Sequence, residues 1–403
     1  MSSHLRYAPL ARANQPALLA FAQRLIQTPS LSGQEGPIAQ VVAAEMRALG
    51  YDDVWIDAVG NVIGRLRGSR PGNVIQFNSH LDHVSPGDEG AWKYAPYAGV
   101  IADGALWGAG ASDTKGALAC QVYAIAALRQ AAPDFAGEMV VVGVVQEETG
   151  AVGSRELVKT LPADCVILGE ATDNQLARGH RGGFKIVVRA QGVAAHASVP
   201  HLALNPHYML ANFLTRLREA PMAVDAVLGP SSAAPTLYGT DQTSSNVIPG
   251  QAWVMLDWRS TPGETPEAAM ARLRPLADAA TEPGGSITLE ASGRQELTTY
   301  TGLRRIWPGA LNAFVLPLEH PAVVEAHAAL EEGMGRPTEI FTWRFCTDGP
   351  WFIEAGIPVL GYAPAREGVP HTAQDHVRLD KLEEGYCGNI ALALRLGAAR
   401  LRG

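Results

Sequence analysis

Cysteine is scarce in this sequence. Four cysteines occur among 403 residues, and no two of them have the CxxC spacing that is typical of a zinc knuckle. We therefore interpret Cys120, Cys165, Cys346 and Cys387 as buried free thiols rather than as disulfide partners or thiolate ligands. A nucleophilic role for Cys346 is disfavoured, because no accompanying histidine and asparagine arrangement is evident.

An excess of basic residues and long apolar runs are also lacking. The chain has 32 Lys and Arg against 40 Asp and Glu, a formal net charge of -8, which argues against nucleic acid or an anionic membrane as a partner. No stretch is long and apolar enough to span a bilayer, and the segment MSSHLRYAPLARANQ lacks the apolar core of a signal peptide. We therefore expect a cytoplasmic protein that binds neither nucleic acid nor membrane.

Apolar runs that alternate with helical patterns indicate the fold class. Met139–Val145 and Asp164–Leu168 predict buried parallel strands, because they are apolar almost throughout. A helix is predicted over about 35–49, another from Asn14–Pro16 to about Gln27, and a later one over about Pro321–Met334. The alternation predicts an α/β fold with a mostly parallel sheet flanked by helices.

The pattern changes near Gly182. From there to about Ser292, helix-like segments such as Pro206–Arg218 and strands such as Ala252–Trp258 indicate a smaller α+β insert. The length of the chain also favours two domains. We therefore predict a main domain in two parts, residues 1–181 and 293–403, with an inserted domain at residues 182–292.

Imidazoles and carboxylates recur where predicted strands end, and in open α/β sheets ligands bind at that edge. The residues whose types suit metal ligation are His80, Asp113, Glu148, Glu170 and His371. Imidazoles and carboxylates without thiolates suit Zn²⁺ or a similar divalent ion at a catalytic site. One carboxylate shared between two ions would place them about 3.5–4 Å apart, with room for a bridging water.

Two further carboxylates are predicted to act beside these ligands. Asp82 lies two residues after His80, and positions i and i+2 of a strand face the same side, so Asp82 can orient the imidazole. Glu147 precedes a candidate ligand and is the natural general base. Structural interpretations remain open: Asp113 could cap the following helix, and Glu147 with Glu148 could be an acidic helix start.

A resemblance to a known family rests on several short segments taken together. In chain order they are SHLDHV, GAGASDTKG, QEETG, LGEAT, AHASVP, NVIP, LDWRSTPGET and GVPHTAQD. They resemble the dinuclear-zinc aminoacylase/carboxypeptidase family, which includes acetylornithine deacetylase, succinyl-diaminopimelate desuccinylase and carboxypeptidase G. The resemblance covers nearly the whole chain. It implies a zinc-peptidase catalytic domain, an inserted lid and dimerisation domain, and a homodimer formed through that lid.

The resemblance also implies a role for each matching residue in the catalytic domain. It implies two Zn²⁺ per chain, with Co²⁺ or Mn²⁺ as alternatives. The implied ligands are His80 and Glu170 for one ion, Glu148 and His371 for the other, and Asp113 as the bridge between them. Glu147 would be the general base.

Three residues of the insert receive implied roles as well. His196 in AHASVP would reach the partner subunit's active site and stabilise the developing oxyanion. Asn246 in NVIP and Arg259 in DWRSTPGET would hold the substrate carboxylate, a task that suits the planar fork of arginine. Alternatively, His196 is an ordinary lid-loop histidine, and Arg259 pairs with a carboxylate of the lid.

The sequence departs from the family pattern at Ala109, where an arginine is usual. The fifth ligand is Glu170, and in the family glutamate here goes with deacylases and carboxypeptidases, whereas aspartate goes with aminopeptidases. We expect a metal-dependent hydrolase that cleaves the amide bond of an N-acyl-amino acid or small peptide. The alternatives are a carboxypeptidase or dipeptidase with the same site and, from another class, a catalytically silent metal-binding scaffold. A dinucleotide binder is disfavoured, because no strand-GxGxxG-helix fingerprint occurs.

Overall fold

The computed structural model describes residues 5–401, which form two principal sheets packed against helices. The α-helices span Ala8–Ile26, Gly36–Ala48, Gly116–Ala126, Leu128–Ala131, Glu147–Gly150, Val152–Leu157, Pro206–Glu219, Pro266–Ala280, Pro321–Met334, Gly349–Glu354 and Leu379–Ala398. None of the helices within residues 5–401 is long and apolar enough to cross a membrane.

The larger sheet forms the centre of the main part of the molecule. Its strands lie in the order Asp53–Ile56, Val62–Arg67, Ala136–Val144, Arg70–His80, Cys165–Leu168, Val359–Gly361, Leu176–His180 and Phe314–Val315, and Ile340–Trp343 also pairs with Leu176–His180. The predicted α/β class is confirmed. The sheet is mixed, however: parallel pairing holds its four central strands, and antiparallel strands lie on both sides.

The antiparallel edge has a local cause. Asp53–Ile56 and Val62–Arg67 are joined by only five residues, and so short a connection permits only antiparallel pairing. The Asp57 carboxylate closes this turn by accepting hydrogen bonds from the backbone N–H groups of Gly60 (2.8 Å) and Asn61 (2.9 Å).

The parallel centre determines where the candidate site lies. Arg70–His80, Ala136–Val144 and Cys165–Leu168 are neighbours with the same direction, so their carboxyl ends meet at one edge. His80 ends the first of these strands, and Glu147 and Glu170 follow shortly after the other two. The apolar residues of the strands are buried on both faces of the sheet, as expected for parallel strands covered by helices.

The second sheet is antiparallel and lies mostly in the predicted insert. Its strands are ordered Ser232–Thr240, Gln251–Ser260, Gly182–Gln191 and Ser286–Ser292, with Ala310–Leu311 also paired to Gly182–Gln191. Buried and partly exposed residues alternate along Gln251–Ser260, and helices Pro206–Glu219 and Pro266–Ala280 cover the buried face. On the opposite face, Gly183, Lys185, Asp257 and Arg259 line a cavity together with Glu147 and Glu148 of the main part. The domain limits at residues 182 and 292 stay a prediction.

Shorter strands complete the structure. Val100–Ala102, Ala105–Trp107 and His376–Arg378 form a three-stranded sheet. Three two-stranded ribbons pair Ala195–His196 with Val247–Ile248, Val224–Asp225 with Gly229–Pro230, and Gln295–Thr298 with Arg304–Trp307. The predicted start of the first helix at Asn14–Pro16 is wrong.

The first helix begins at Ala8 and contains Pro16 in its interior. Proline usually marks the first turn of a helix, because its missing N–H is not needed there. Here the preceding turns are held by tertiary contacts: Ala8 and Ala11 are buried in the main core, and the amide of Asn14 donates to the hydroxyl of Tyr386 (2.9 Å). Tertiary packing of the residues before Pro16 therefore outweighs the preference of proline for the first turn of a helix.

Candidate active site

Five side chains from five separate parts of the chain form two groups that could each hold a metal ion. One group is His80, Asp113 and Glu170, and the other is Asp113, Glu148 and His371; the ligand atoms within each group lie within 4.8 Å of one another. Asp113 belongs to both. Its Oδ1 lies 2.8 Å from Nε2 of His80, and its Oδ2 lies 3.1 Å from Nε2 of His371. The two carboxylate oxygens thus face two different sites, the geometry expected of a bridging ligand.

The backbone around Asp113 aims its side chain at these histidines. Asp113 lies in the turn Ala111–Lys115, and the next helix begins at Gly116 without a side-chain cap. The capping interpretation of Asp113 therefore does not hold. On the other side, Gln146 has a left-handed conformation (φ 54°) two residues after the end of strand Ala136–Val144, and the short helix Glu147–Gly150 follows it. The acidic helix start is thus observed, and it brings Glu148 to 3.0 Å from Nε2 of His371.

Asp82 contacts the candidate ligands and their neighbours through its backbone and its side chain. The strand ends at His80, so Asp82 is not its same-face neighbour on a strand. Nδ1 of His80 instead lies 2.9 Å from the carbonyl oxygen of Asp82 and 3.7 Å from its carboxylate. A carbonyl only accepts, so Nδ1 carries the proton and Nε2 is free to bind a metal. The buried Asp82 carboxylate accepts hydrogen bonds from the backbone N–H groups of Glu147 (3.1 Å) and Glu148 (3.2 Å).

The cluster has an excess of negative charge that calls for cations. Burial raises the pKa of Glu147 well above its usual value, and the nearby Asp348 and Glu170 carboxylates raise it further. Burial and the charge of Asp113 likewise raise the pKa of Glu170. Hydrogen bonds to Asp113 and Glu148 raise the pKa of His371 to about 10. Protons would therefore compensate the carboxylates here, and divalent cations would do so better, which makes this donor set fit a metal centre.

Two buried carboxylates that sequence reasoning missed hold the loops that carry the ligands. Asp375 accepts hydrogen bonds from the backbone N–H groups of Gly110 (2.6 Å) and Ser112 (2.9 Å), next to Asp113. Glu35 accepts from the backbone N–H of Gln146 (3.1 Å), next to Glu147. Asp375 is part of the segment GVPHTAQD, but the residue types of that segment do not indicate that the Asp375 carboxylate contacts another loop.

A cleft beside the metal-ligand groups joins the main part to the second sheet. Its cavity of about 580 Å³ is lined on one side by Glu147 and Glu148 and on the other by Arg259. Arg259 pairs with Asp257, with 2.8 Å between Nε and Oδ1, so the alternative of a lid carboxylate partner is observed. Its Nη1 lies 3.6 Å from Sγ of Cys346, on the side of the cleft. The remaining guanidinium N–H groups are available to a ligand in the cleft.

His196 and Asn246 lie next to each other but away from these ligands. The backbone N–H of Ala197 donates to the carbonyl of Asn246 (2.9 Å), and His196 pairs in register with Val247. Nδ1 of His196 lies 2.8 Å from the hydroxyl of Ser198, and the residue is exposed. Among residues 5–401, neither metal-ligand group nor the cavities beside them include His196 or Asn246.

Comparison with known proteins identifies relatives over most of the chain. Residues 76–391 match the family described as "Peptidase family M20/M25/M40". The succinyl-diaminopimelate desuccinylase of Rhodospirillum centenum is 30% identical over 368 residues, which are 86% of this chain and 89% of that protein.

Solved structures share the fold at lower sequence identity. Aminopeptidase PepT from Bacillus cereus has a TM-score of 0.76 at 21% identity and covers 95% of this chain and 99% of its own. The YXEP protein of Bacillus subtilis, described as a dinuclear metal binding peptidase from M20 family, has a TM-score of 0.72 at 15% identity, over 96% of this chain and 99% of its own. The folds correspond along nearly their full lengths, while the shared sequence is sparse.

Proposed function

The chain belongs to peptidase family M20/M25/M40, and we propose that it is a metal-dependent hydrolase that cleaves the amide bond of an N-acyl-amino acid. The observation that carries this proposal is the position of Asp113, whose two carboxylate oxygens face His80 and His371 separately. A carboxylate so placed suits a pair of divalent ions better than one. Imidazole and carboxylate donors favour Zn²⁺, with Co²⁺ or Mn²⁺ as alternatives.

The proposed reaction uses the metal ions that the ligand groups would hold and two side chains that line the cleft, Glu147 and Arg259. Two bound divalent ions would polarise the scissile carbonyl and acidify a water molecule. Glu147 belongs to neither ligand group and lines the cleft, so its carboxylate is free to accept the proton of the attacking water and to pass it to the leaving amine. Arg259 would hold the substrate carboxylate through its free N–H groups, because a guanidinium binds a carboxylate at two points.

The proposal predicts that activity and metal content fall together. Elemental analysis of the purified protein is expected to find about two divalent ions per chain. Hydrolysis of N-acetyl- and N-succinyl-amino acids is expected to stop after chelation and to return when Zn²⁺ is added. Release of two amino acids from dipeptides, with no deacylation, would favour the peptidase alternative. Bound metal without any amide hydrolysis would favour the silent scaffold.

We also infer a homodimer formed through the insert. Strand Ser232–Thr240 is an edge of the second sheet, since among residues 5–401 it pairs with Gln251–Ser260 alone. Leu237 and Tyr238 on this strand are 56% and 61% exposed. An open edge with apolar side chains is a template for pairing with another chain. In such a dimer, His196 and Asn246 are available to the partner's cleft, where the imidazole would stabilise the oxyanion.

Subunit mixing tests the role of His196 across the dimer. We expect His196→Ala and Glu147→Ala homodimers each to be nearly inactive, and a heterodimer of the two to regain about a quarter to a half of wild-type activity, because one of its two sites is complete. Two affinity tags isolate the heterodimer. A heterodimer as inactive as its parents would show that His196 acts within its own subunit or not at all. The matched control His201→Ala, three residues beyond Ser198 in the same loop region, should keep wild-type activity.

A further inference from the structure

The second sheet places two cationic side chains in the wall of the cleft. Lys185 and Arg259 both line the cavity of about 580 Å³ that also contains Glu147 and Glu148. Arg259 is the residue that we propose holds the substrate carboxylate. Lys185 is not part of any segment that carries the family resemblance. It belongs to neither metal-ligand group and has no role in the proposed reaction.

The strand register fixes the positions of these cations relative to each other. In the antiparallel pair of Gly182–Gln191 and Gln251–Ser260, Gly183 is opposite Arg259 and Lys185 is opposite Asp257. Lys185 and Arg259 are therefore diagonal neighbours on the same face, a placement that puts such side chains roughly 7–8 Å apart. A Cβ atom at Gly183 would lie 3.4 Å from Nη1 of Arg259, so the guanidinium extends over this glycine toward the strand that carries Lys185.

The charges in this wall do not cancel. Asp257 lies opposite Lys185, but its carboxylate pairs with Nε of Arg259 at 2.8 Å. Within residues 5–401, Lys185 makes no ion pair with a carboxylate, and its side chain is exposed in the cleft. Among the residues of this sheet that line the cavity, one anion, Asp257, accompanies two cations. Glu290 is a diagonal neighbour of Lys185 on the next strand, but it does not line the cavity, and within residues 5–401 it makes no ion pair with Lys185. The ammonium group of Lys185 is therefore left to the contents of the cleft.

We propose that Lys185 is a specificity-determining residue that binds a second carboxylate, carried by the side chain of the substrate's amino acid. This inference rests on the proposed function, in which Arg259 holds the α-carboxylate. The preferred substrates are then N-acylated acidic amino acids of the glutamate and aspartate type. Lys185 lies beside Arg259 and, within the described part of the chain, has no carboxylate partner. The amino-acid portion of the substrate, rather than the acyl group, therefore reaches it.

The test compares two substrates that have nearly the same shape and differ in one charge. For the metal-loaded full-length protein, we expect kcat/KM for N-acetyl-glutamate to exceed that for N-acetyl-glutamine by about ten- to hundredfold, the range of a hydrogen bond to a charged group. Lys185→Met should bring the ratio close to one, and Lys185→Arg should restore most of it. Arg189→Met is the matched control: Arg189 lies on the same strand and face but bonds Gln251 (3.0 Å) outside the cleft, so the ratio should stay as in the wild type.

The outcomes separate this inference from the proposed function. Hydrolysis of both substrates with a ratio near one, or with a ratio that Lys185→Met does not change, overturns the role of Lys185 and leaves the hydrolase intact. A Lys185-dependent preference for N-succinyl- over N-acetyl-glutamine would move the second carboxylate to the acyl group and overturn its placement on the side chain.

Binding of the amino-acid products gives a readout that does not depend on turnover. Calorimetric titration should show that glutamate binds the metal-loaded protein about ten- to hundredfold more tightly than glutamine, and that Lys185→Met removes this difference. If neither N-acyl substrate is hydrolysed, the proposed function fails for this acyl group, and the titration still decides the inference. Equal binding of glutamate and glutamine overturns it.

Discussion

Glu147→Gln is expected to lower kcat by about 10²–10⁴-fold while both metal ions stay bound, because a positioned general base contributes that much to proton transfer. The glutamine has the shape of glutamate but cannot accept the proton of the attacking water. Glu147 belongs to neither ligand group, and its side chain lines the cleft next to Glu148. Its position on the chain is held by the bond from its backbone N–H to Asp82 (3.1 Å), which the substitution retains.

Steady-state kinetics and elemental analysis of the same preparation measure both halves of this expectation. Glu367→Gln is the local control, since Glu367 lines the cavity that contains Glu147 and four of the candidate ligands but is itself in neither ligand group. It should retain wild-type turnover. If Glu147→Gln lost metal together with activity, Glu147 would be a ligand instead of the base. If it kept wild-type kcat, another group would have to accept the proton.

Asp113→Ala is expected to remove activity by at least about 10³-fold and to weaken binding of both ions, because one carboxylate serves both groups. Substitution of any other candidate ligand should mainly weaken the binding of one ion. Comparison of Asp113→Ala with Glu170→Ala and His371→Ala therefore tests the sharing directly. Metal titrations followed by calorimetry should give two weakened sites for the first variant and one for each of the others.

Two aspartate variants calibrate the Asp113 result. Asp375→Asn alters the hydrogen bonds to Gly110 and Ser112 but leaves all five ligand residues in place, so metal affinity should fall by roughly 10- to 100-fold. Asp103→Asn, which removes an exposed partner of Lys93, should change neither metal binding nor turnover. Equal losses of one ion in Asp113→Ala and Glu170→Ala would contradict a bridging role.

Much of the site was predictable because it depends on strand ends. The apolar runs that lead to His80, Glu147 and Glu170 are buried strands, and parallel pairing carries whatever follows them to a common edge. The helix predicted over about Pro321–Met334 is observed with these limits. Residues at its two ends determine these limits. Pro321 occupies the first helical position, and Gly335 takes the left-handed conformation (φ 61°) that ends a helix.

Features that depend on distant contacts were not predictable. The interior Pro16 is tolerated because the surrounding helix packs on the main core, a fact absent from its local sequence. Asp375 and Glu35 accept hydrogen bonds from backbone N–H groups of other loops. Every residue except proline has such a group, so the residue types do not reveal these bonds. Strand Ser232–Thr240 was missed because its residues are mostly exposed, so no apolar alternation marks it.

The order of strands in the larger sheet has a consequence for how the chain is made. Cys165–Leu168 pairs with Arg70–His80 on one side and with Val359–Gly361 on the other, and about 190 residues separate it from the latter strand. At ~5–20 residues per second, a ribosome needs roughly 10–40 s to supply that strand. During this interval a fully apolar strand has an open edge. Chains that terminate before residue 359 should therefore aggregate. Nascent chains should depend on chaperones until strand Val359–Gly361 emerges from the ribosome.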